Sequence, residues 1–199
     1  IHLEDLKKHY HQVMFTTGAP FDRSLGVPGE DLEGSFSATE FVAWYNGHPD
    51  FADRRFDLSQ ESVAIVGIGN VAMDVARILC KTYDELAATD IADHALEALK
   101  NSKVKNVYIL GRRGPAQAAF TPPEIKEMGE FDDADVTVPS DEAVVDSASQ
   151  AILDESGDKN AQKNIGFIQE YAQRPVEGKS RLLTIRFLLS TTELIGEDG

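Results

Sequence analysis

The sequence predicts an α/β fold organised around a central parallel sheet, and three observations predict it. Two continuous β-rich runs, Ser62-Val63-Ala64-Ile65-Val66 and Asn106-Val107-Tyr108-Ile109-Leu110, each stop at a glycine, Gly67 and Gly111. Between them the apolar residues switch to helical spacing, first Val71, Ala72, Val75, Ala76, Ile78 and Leu79, then Ala92, Ala95, Leu96 and Leu99. Uninterrupted apolar strands imply cover on both faces. Two such strands joined through helix imply a parallel, right-handed βαβ unit.

The other elements follow in chain order. Gln12-Val13-Met14-Phe15-Thr16 reads as a short buried strand, closed by the breaker Gly18-Ala19-Pro20. Gly26-Val27-Pro28-Gly29 and Gly34 make a turn-rich connection. Ser37-Ala38-Thr39-Glu40 has capping-box spacing and opens a helix through Phe41, Val42, Trp44 and Tyr45. That helix stops at Asn46-Gly47, with Pro49 beyond. Past Gly111, Thr121-Pro122-Pro123-Glu124 starts another helix, proline being tolerated in a first turn. Val136-Thr137-Val138 reads as a strand, residues 160–171 as a helix, and Leu182–Leu189 as the last strand. Gly196-Glu197-Asp198-Gly199 reads as a turn.

Composition narrows the function. At 199 residues and 42% apolar content, one domain can bury about 70% of its unfolded surface and fold without staples. The single cysteine, Cys80, excludes an internal disulfide, and its place on an apolar helical stripe favours core over nucleophile. His2, His9, His11, His48 and His94 are scattered without metal-ligand spacing. No apolar run approaches the roughly 18 residues of a membrane span, and the mixed, charged start is unlike a signal peptide. A net charge of −15 disfavours nucleic acid and anionic membranes as partners. The acidity is concentrated: residues 130–158 hold ten Asp or Glu and no Lys or Arg. A solvated loop-and-helix face accounts for that segment, the sharper alternative being a surface that turns acidic partners away.

Chemistry sits at the two glycines that end the strands. In Gly67-Ile68-Gly69-Asn70-Val71-Ala72, the first glycine permits a tight strand-to-helix turn. The second lets backbone approach a pyrophosphate, and a small third residue, here Ala72, packs helix on strand. The helix N-terminus adds free N–H groups and partial positive charge. Alone the motif is weak; between a buried strand and a small-residue helix it points to a Rossmann-like dinucleotide-binding domain. The end of the second strand then chooses the cofactor. An acid there would bind a ribose 2′-hydroxyl, an arginine a 2′-phosphate. This chain has Gly111-Arg112-Arg113-Gly114 and no acid, which selects NADP(H). The arginines come about twice as far along as the usual separation of 20 residues, an excess absorbed by the extra helix near Asp90–Lys100.

Two carboxylates stay open to more than one reading. Glu124 completes the Thr121 capping box, and this is the reading its spacing favours; it also stands where it can accept a hydrogen bond from the adenosine ribose. Asp74, four residues after Asn70, lies one turn from the anion-binding turn and is read equally as solvated or as facing the nicotinamide.

The strings Gly67-Ile68-Gly69-Asn70-Val71-Ala72-Met73-Asp74-Val75-Ala76-Arg77 and Gly111-Arg112-Arg113-Gly114-Pro115-Ala116-Gln117-Ala118-Ala119-Phe120-Thr121 resemble the adrenodoxin reductase-like ferredoxin–NADP⁺ reductases. The likeness continues through Val27-Pro28-Gly29-Glu30, Phe41–Gly47 and Arg186-Phe187-Leu188-Leu189-Ser190. The resemblance implies a domain like the NADP domain of glutathione reductase-like flavoproteins. It implies that Gly67, Gly69, Asn70 and Val71 contact the pyrophosphate, that Arg112 and Arg113 hold the 2′-phosphate, that Glu124 meets the adenosine ribose, and that Asp74 lies near the nicotinamide. Position 68, often glutamine in the family, is Ile68 here. It further implies a parent with FAD that passes electrons to a ferredoxin or adrenodoxin-like iron–sulfur protein, in a bacterial cytoplasm or, alternatively, a mitochondrial matrix. On this reading residues 1–22 are a remnant of the FAD-binding domain, with Thr17-Gly18-Ala19 near where that domain approaches FAD. Residues 23–199 are then the NADP-binding domain. The expected chain binds NADP without FAD and has no activity alone. The flavin module of glutamate synthase-type enzymes shares the glycine pattern, but the Gly-Arg-Arg-Gly-Pro continuation argues against it.

Overall fold

The computed structural model describes residues 2–16 and 22–196. Four parallel strands, β1 (Ser62–Val66), β2 (Asn106–Leu110), β3 (Ala134–Thr137) and β4 (Arg181–Arg186), form one sheet in the order β1-β2-β4-β3. The helices are α1 (Leu3–His9), α2 (Ala38–Tyr45), α3 (Asn70–Cys80), α4 (Tyr83–Ala87), α5 (Asp93–Lys100), α6 (Pro122–Met128), α7 (Ser147–Ser156) and α8 (Lys159–Gln173). The predicted strand at Val136 begins two residues earlier. Among the described residues no helix is long and apolar enough to cross a membrane.

Register lines the core up in rows. Val63 sits beside Val107, Leu183 and Val136, and Ile65 beside Ile109 and Ile185. Val107, Ile109, Leu183 and Ile185 are fully buried. Against them α3 crosses β1, β2 and β4, with α6 at its flank and α8 beyond. The opposite face fares differently: Ala64 and Val66 are exposed, and Tyr108, Leu110 and Thr184 only half-buried. Cover on both faces, expected from the continuous runs, is therefore corrected. On β1, β2 and β4 burial alternates with the period of two that one-sided cover requires, while β3 is buried on both faces from Ala134 to Val136.

Three further expectations change, and others fall outside the described residues. Gln12–Thr16 is not a strand; Met14 and Phe15 are exposed and the segment pairs with no strand among the described residues. The breaker at Gly18-Ala19-Pro20, the flavin-side Thr17-Gly18-Ala19, and most of the turn at Gly196–Gly199 lie outside the described residues. β4 ends at Arg186 rather than Leu189, because Leu188 takes a left-handed φ of 59°, which breaks an extended repeat. Lastly, the acidic segment is more than a solvated face. Asp146 and Asp158 cap α7 and α8 by accepting two backbone N–H bonds each. Glu142 takes two hydrogen bonds from Arg186 Nε, at 2.8 and 3.0 Å, and one from Phe187 N at 2.7 Å. Buried Asp135 accepts from the N–H groups of Gly178 at 2.8 Å and Lys179 at 3.0 Å.

Helix α2 behaves as its sequence suggests, with Asn46 as C-cap and Gly47 at a φ of 72° ending it. The Ser37 oxygen accepts from Glu40 N at 3.4 Å. Only half of the box forms, since the Glu40 carboxylate turns instead to Arg54 at 2.7 Å.

Candidate dinucleotide-binding site

Where β1 ends, Gly67 adopts a φ of 135°, open to glycine but strained for any residue with a Cβ. Its N–H donates to Leu110 O at 3.0 Å, which ties the turn to the end of β2. Gly69 then serves as the N-cap of α3 and offers no capping side chain. The first N–H groups of α3 are thus left for a ligand, with the helix dipole behind them. A Cβ placed on Gly67 or Gly69 would meet nothing within 4 Å. The turn faces open space, as close approach of a phosphate demands. Val71, in the first turn, is 49% exposed and borders a groove of about 530 Å³ with Thr39, Val42 and Pro49.

β2 ends on a glycine for a different reason. A Cβ on Gly111 would stand 2.7 Å from Ile68 Cδ1 and 3.2 Å from Arg186 O. Ile68 fills that space, which accounts for what the side chain does here in place of glutamine. Past Gly111 the exposed Arg112 and Arg113 make no hydrogen bond or ion pair with their guanidinium groups among the described residues. The backbone under them is held, however. Gly111 N donates to Arg186 O at 2.8 Å, Leu189 N to Gly111 O at 3.0 Å, and Leu188 N to Arg113 O at 3.3 Å.

The two loops are stitched together. Ala119 N donates to Ile68 O at 2.9 Å, Gly69 and Ala119 form an isolated parallel bridge, and Thr121 N donates to Asn70 Oδ1 at 2.8 Å. From the other side, Asn164 Nδ2 donates to Phe120 O at 2.8 Å and Gln117 Nε2 to Ser149 Oγ at 3.2 Å. Asn70 therefore spends its side-chain oxygen on the start of α6 and keeps its Nδ2 donor for other use. The Thr121 side chain makes no capping bond, so the box expected with Glu124 does not form.

Glu124 belongs instead to an ion-pair cluster between α3 and α6. Arg77 donates through Nη1 to Asp74 Oδ1 at 2.5 Å, through Nη2 to Glu124 Oε2, and through Nε to Glu127 Oε2 at 2.9 Å. Lys81 completes the cluster on Glu127 Oε1 at 3.0 Å. Burial works to lower the Arg77 pKa, but its bonds to Asp74 and Glu124 outweigh that and hold it above the ordinary value. Glu127 shows the converse. Burial raises its pKa, and Lys81 and Arg77 more than reverse this. Asp74 and Glu124 are thus brought together by Arg77, which the motif analysis did not single out. Its signal was present: an arginine three residues after an aspartate and four before a lysine, all on one face of the helix that the glycine motif opens. Cys80, fully buried at the end of the same helix, has its thiol pushed up by burial to about 12, as a core residue should.

Comparison with known proteins follows these features. No family model matches the chain. It is 43% identical over 198 residues to the NADPH-ferredoxin reductase FprA of Mycobacterium leprae, covering 98% of this chain and 43% of that protein. Over 127 residues it is 54% identical to the mitochondrial NADPH:adrenodoxin oxidoreductase of Arabidopsis thaliana, covering 63% of this chain and 26% of the relative. The solved structure of Mycobacterium tuberculosis FprA in complex with NADPH superposes with a TM-score of 0.88 at 42% identity, over 100% of this chain and 43% of that one. The chain thus spans less than half the length of the reductases it matches. With the glycine turn and the arginine loop stitched into one unit, and likeness to these reductases from end to end, the chain belongs to the adrenodoxin reductase-like ferredoxin–NADP⁺ reductase family.

Proposed function

We propose that this chain binds NADP(H), with the pyrophosphate on the Gly67–Val71 turn and the 2′-phosphate between Arg112 and Arg113. One observation carries the reading: two exposed guanidinium groups without partners among the described residues stand on a loop bonded directly to an open glycine turn. Arginine forks match phosphate oxygens, and an unpaired fork gives up no existing bond to take one. Asn70 Nδ2 and the N–H groups opening α3 supply further donors. Glu124 and Asp74 are assigned to the adenosine ribose and the nicotinamide end respectively. A relative solved with NADPH supports the same ligand.

For the whole protein, the reading extends to a flavin-dependent reductase that passes electrons to a ferredoxin or adrenodoxin-like iron–sulfur protein, the activity in the relatives' names. Flavin would supply the conversion of a hydride into single electrons. This chain's glycine turn is committed to NADP(H), so FAD is assigned to the remainder of such a protein. Calorimetric titration tests the binding claim. NADP⁺ should bind more tightly than NAD⁺, and Arg112→Ala should weaken NADP⁺ by about tenfold or more, the worth of one charge-assisted bond. NAD⁺ affinity should barely change in that variant. Equal affinity for the two nucleotides in the wild type defeats the 2′-phosphate assignment, and yellow flavin on the purified chain defeats the assignment of FAD elsewhere.

A further inference from the structure

We propose that Arg77 is a positioning residue of the dinucleotide site, holding Glu124 by one oxygen so that the other is presented to a ribose hydroxyl. The inference rests on the NADP(H) reading above and adds a residue to it. All three guanidinium nitrogens of Arg77 are engaged, each on a different carboxylate, Asp74, Glu124 and Glu127. The carboxylates differ in how fully they are used. Glu127 is bound through both oxygens, Oε2 to Arg77 and Oε1 to Lys81. Glu124 is bound only through Oε2 and Asp74 only through Oδ1 among the described residues, and neither has a second oxygen that is buried without a partner. Each keeps an accessible acceptor. A carboxylate with one oxygen pinned loses little further freedom when the other accepts a hydroxyl, and such preorganisation is worth affinity.

Charge supports the same role. Three carboxylates beside a pyrophosphate turn would repel the ligand; Arg77 and Lys81 answer all but one of those charges inside the cluster. Position supports it too. Arg77 lies on α3, the helix that receives the pyrophosphate, and Glu124 lies in the first turn of α6. The side-chain clamp therefore runs beside the backbone stitch from Thr121 N to Asn70 Oδ1. Together they fix α6 to α3 at two points. Glu127, bound through both oxygens, is the structural anchor of the cluster, and Glu124 keeps an oxygen free for a ligand.

A double-mutant cycle on NADP⁺ affinity, read by calorimetry on the full chain, separates positioning from general packing. Arg77→Lys keeps a cation but not the three-way fork, and Glu124→Gln removes the charged acceptor. Each single change should weaken NADP⁺ by about tenfold, the loss of one hydrogen bond to a charged group. The double variant should bind no worse than Glu124→Gln alone, since Arg77 acts through Glu124. Glu127→Gln, which leaves the Arg77–Glu124 bond in place, should lower thermal stability while leaving NADP⁺ affinity within twofold. Wild-type affinity in Arg77→Lys overturns the proposal, as do independent multiplying losses in the double variant or an equal loss in Glu127→Gln. A wild type that binds neither NADP⁺ nor NAD⁺ overturns the underlying site assignment, and this proposal with it.

Discussion

Gly111 is constrained by what surrounds it, not by its backbone angle. Its φ is not among the positive values of the chain, yet a Cβ there would collide with Ile68 Cδ1 at 2.7 Å and crowd Arg186 O at 3.2 Å. The Ile68 side chain can swing away; the β4 carbonyl cannot. Gly111→Ala should therefore cost about 1–3 kcal/mol, as overpacking does, measured by urea denaturation. Adding Ile68→Ala should recover part of that loss, and strictly additive costs would show that Ile68 is not the obstacle. Because Ile68 O receives Ala119 N–H, the same variant should also loosen NADP⁺ binding. Cys80 makes a second case at this scale. A thiol pushed up to about 12 by burial stays protonated and sheltered, so iodoacetamide at pH 8 should leave it unmodified in the native chain and label it after unfolding. Labelling of the folded chain, detected by mass, would show that the end of α3 opens locally.

Elements in this fold are joined by carboxylates as much as by apolar contact, and β3 gives the plainest example. Burial pulls the pKa of Asp135 upward, but the N–H groups of Lys179, Glu177 and Gly178 outweigh it, leaving the carboxyl below its ordinary 3.8. A depressed native pKa means stability that is fully present above the ordinary value and lost as pH falls through the lower one. Acid unfolding should thus steepen below pH 3.8. Asp135→Asn should cost about 1–3 kcal/mol at neutral pH and flatten that acid limb. An unchanged limb would mean the charge of Asp135 is not what holds the chain ahead of β4. The same carboxylate logic explains what could be seen in the sequence. Three helices open on a Ser/Thr-x-x-Glu string, at Ser37, Thr82 and Thr121, and only Thr82-Glu85 closes a reciprocal box, opening α4. At the other two, Arg54 and Arg77 come within reach of the glutamate from distant sequence, and a charged partner outcompetes a backbone N–H. Local spacing reveals the helix start but not that distant competitor. Strand limits in β1 and β2 were legible because apolar runs ended on glycine. One-sided cover was not, because strand composition does not say where the helices lie.

At the scale of the whole molecule, the site is assembled from parts that are far apart in sequence but share one sheet. The glycine turn hangs on β1, the arginine loop on β2, and α6 bears Glu124, the carboxylate proposed for the ribose. Backbone bonds from Gly67 to Leu110, from Gly111 to Arg186 and from Ala119 to Ile68 connect all of them. A ligand spanning turn and loop therefore bridges segments that must separate when the domain unfolds, so binding should stabilise the entire cooperative unit and not a single loop. Linkage sets the size: at a free ligand concentration a hundredfold above Kd, the native state gains about 2.7 kcal/mol. For a domain of this length each kcal/mol moves Tm by about 2–4 °C, so NADP⁺ at that level should raise Tm by about 5–10 °C. NAD⁺ at the same concentration should do much less, since it lacks the phosphate for Arg112 and Arg113, and Arg112→Ala should reduce the NADP⁺ shift toward the NAD⁺ value. Scanning calorimetry of the wild type and that variant with each nucleotide checks this. Equal shifts with the two nucleotides would place the binding energy in the pyrophosphate turn alone. Binding seen by titration without any rise in Tm would mean that the ligand engages the unfolded chain as well, and that the stitched loops are not one unit with the sheet.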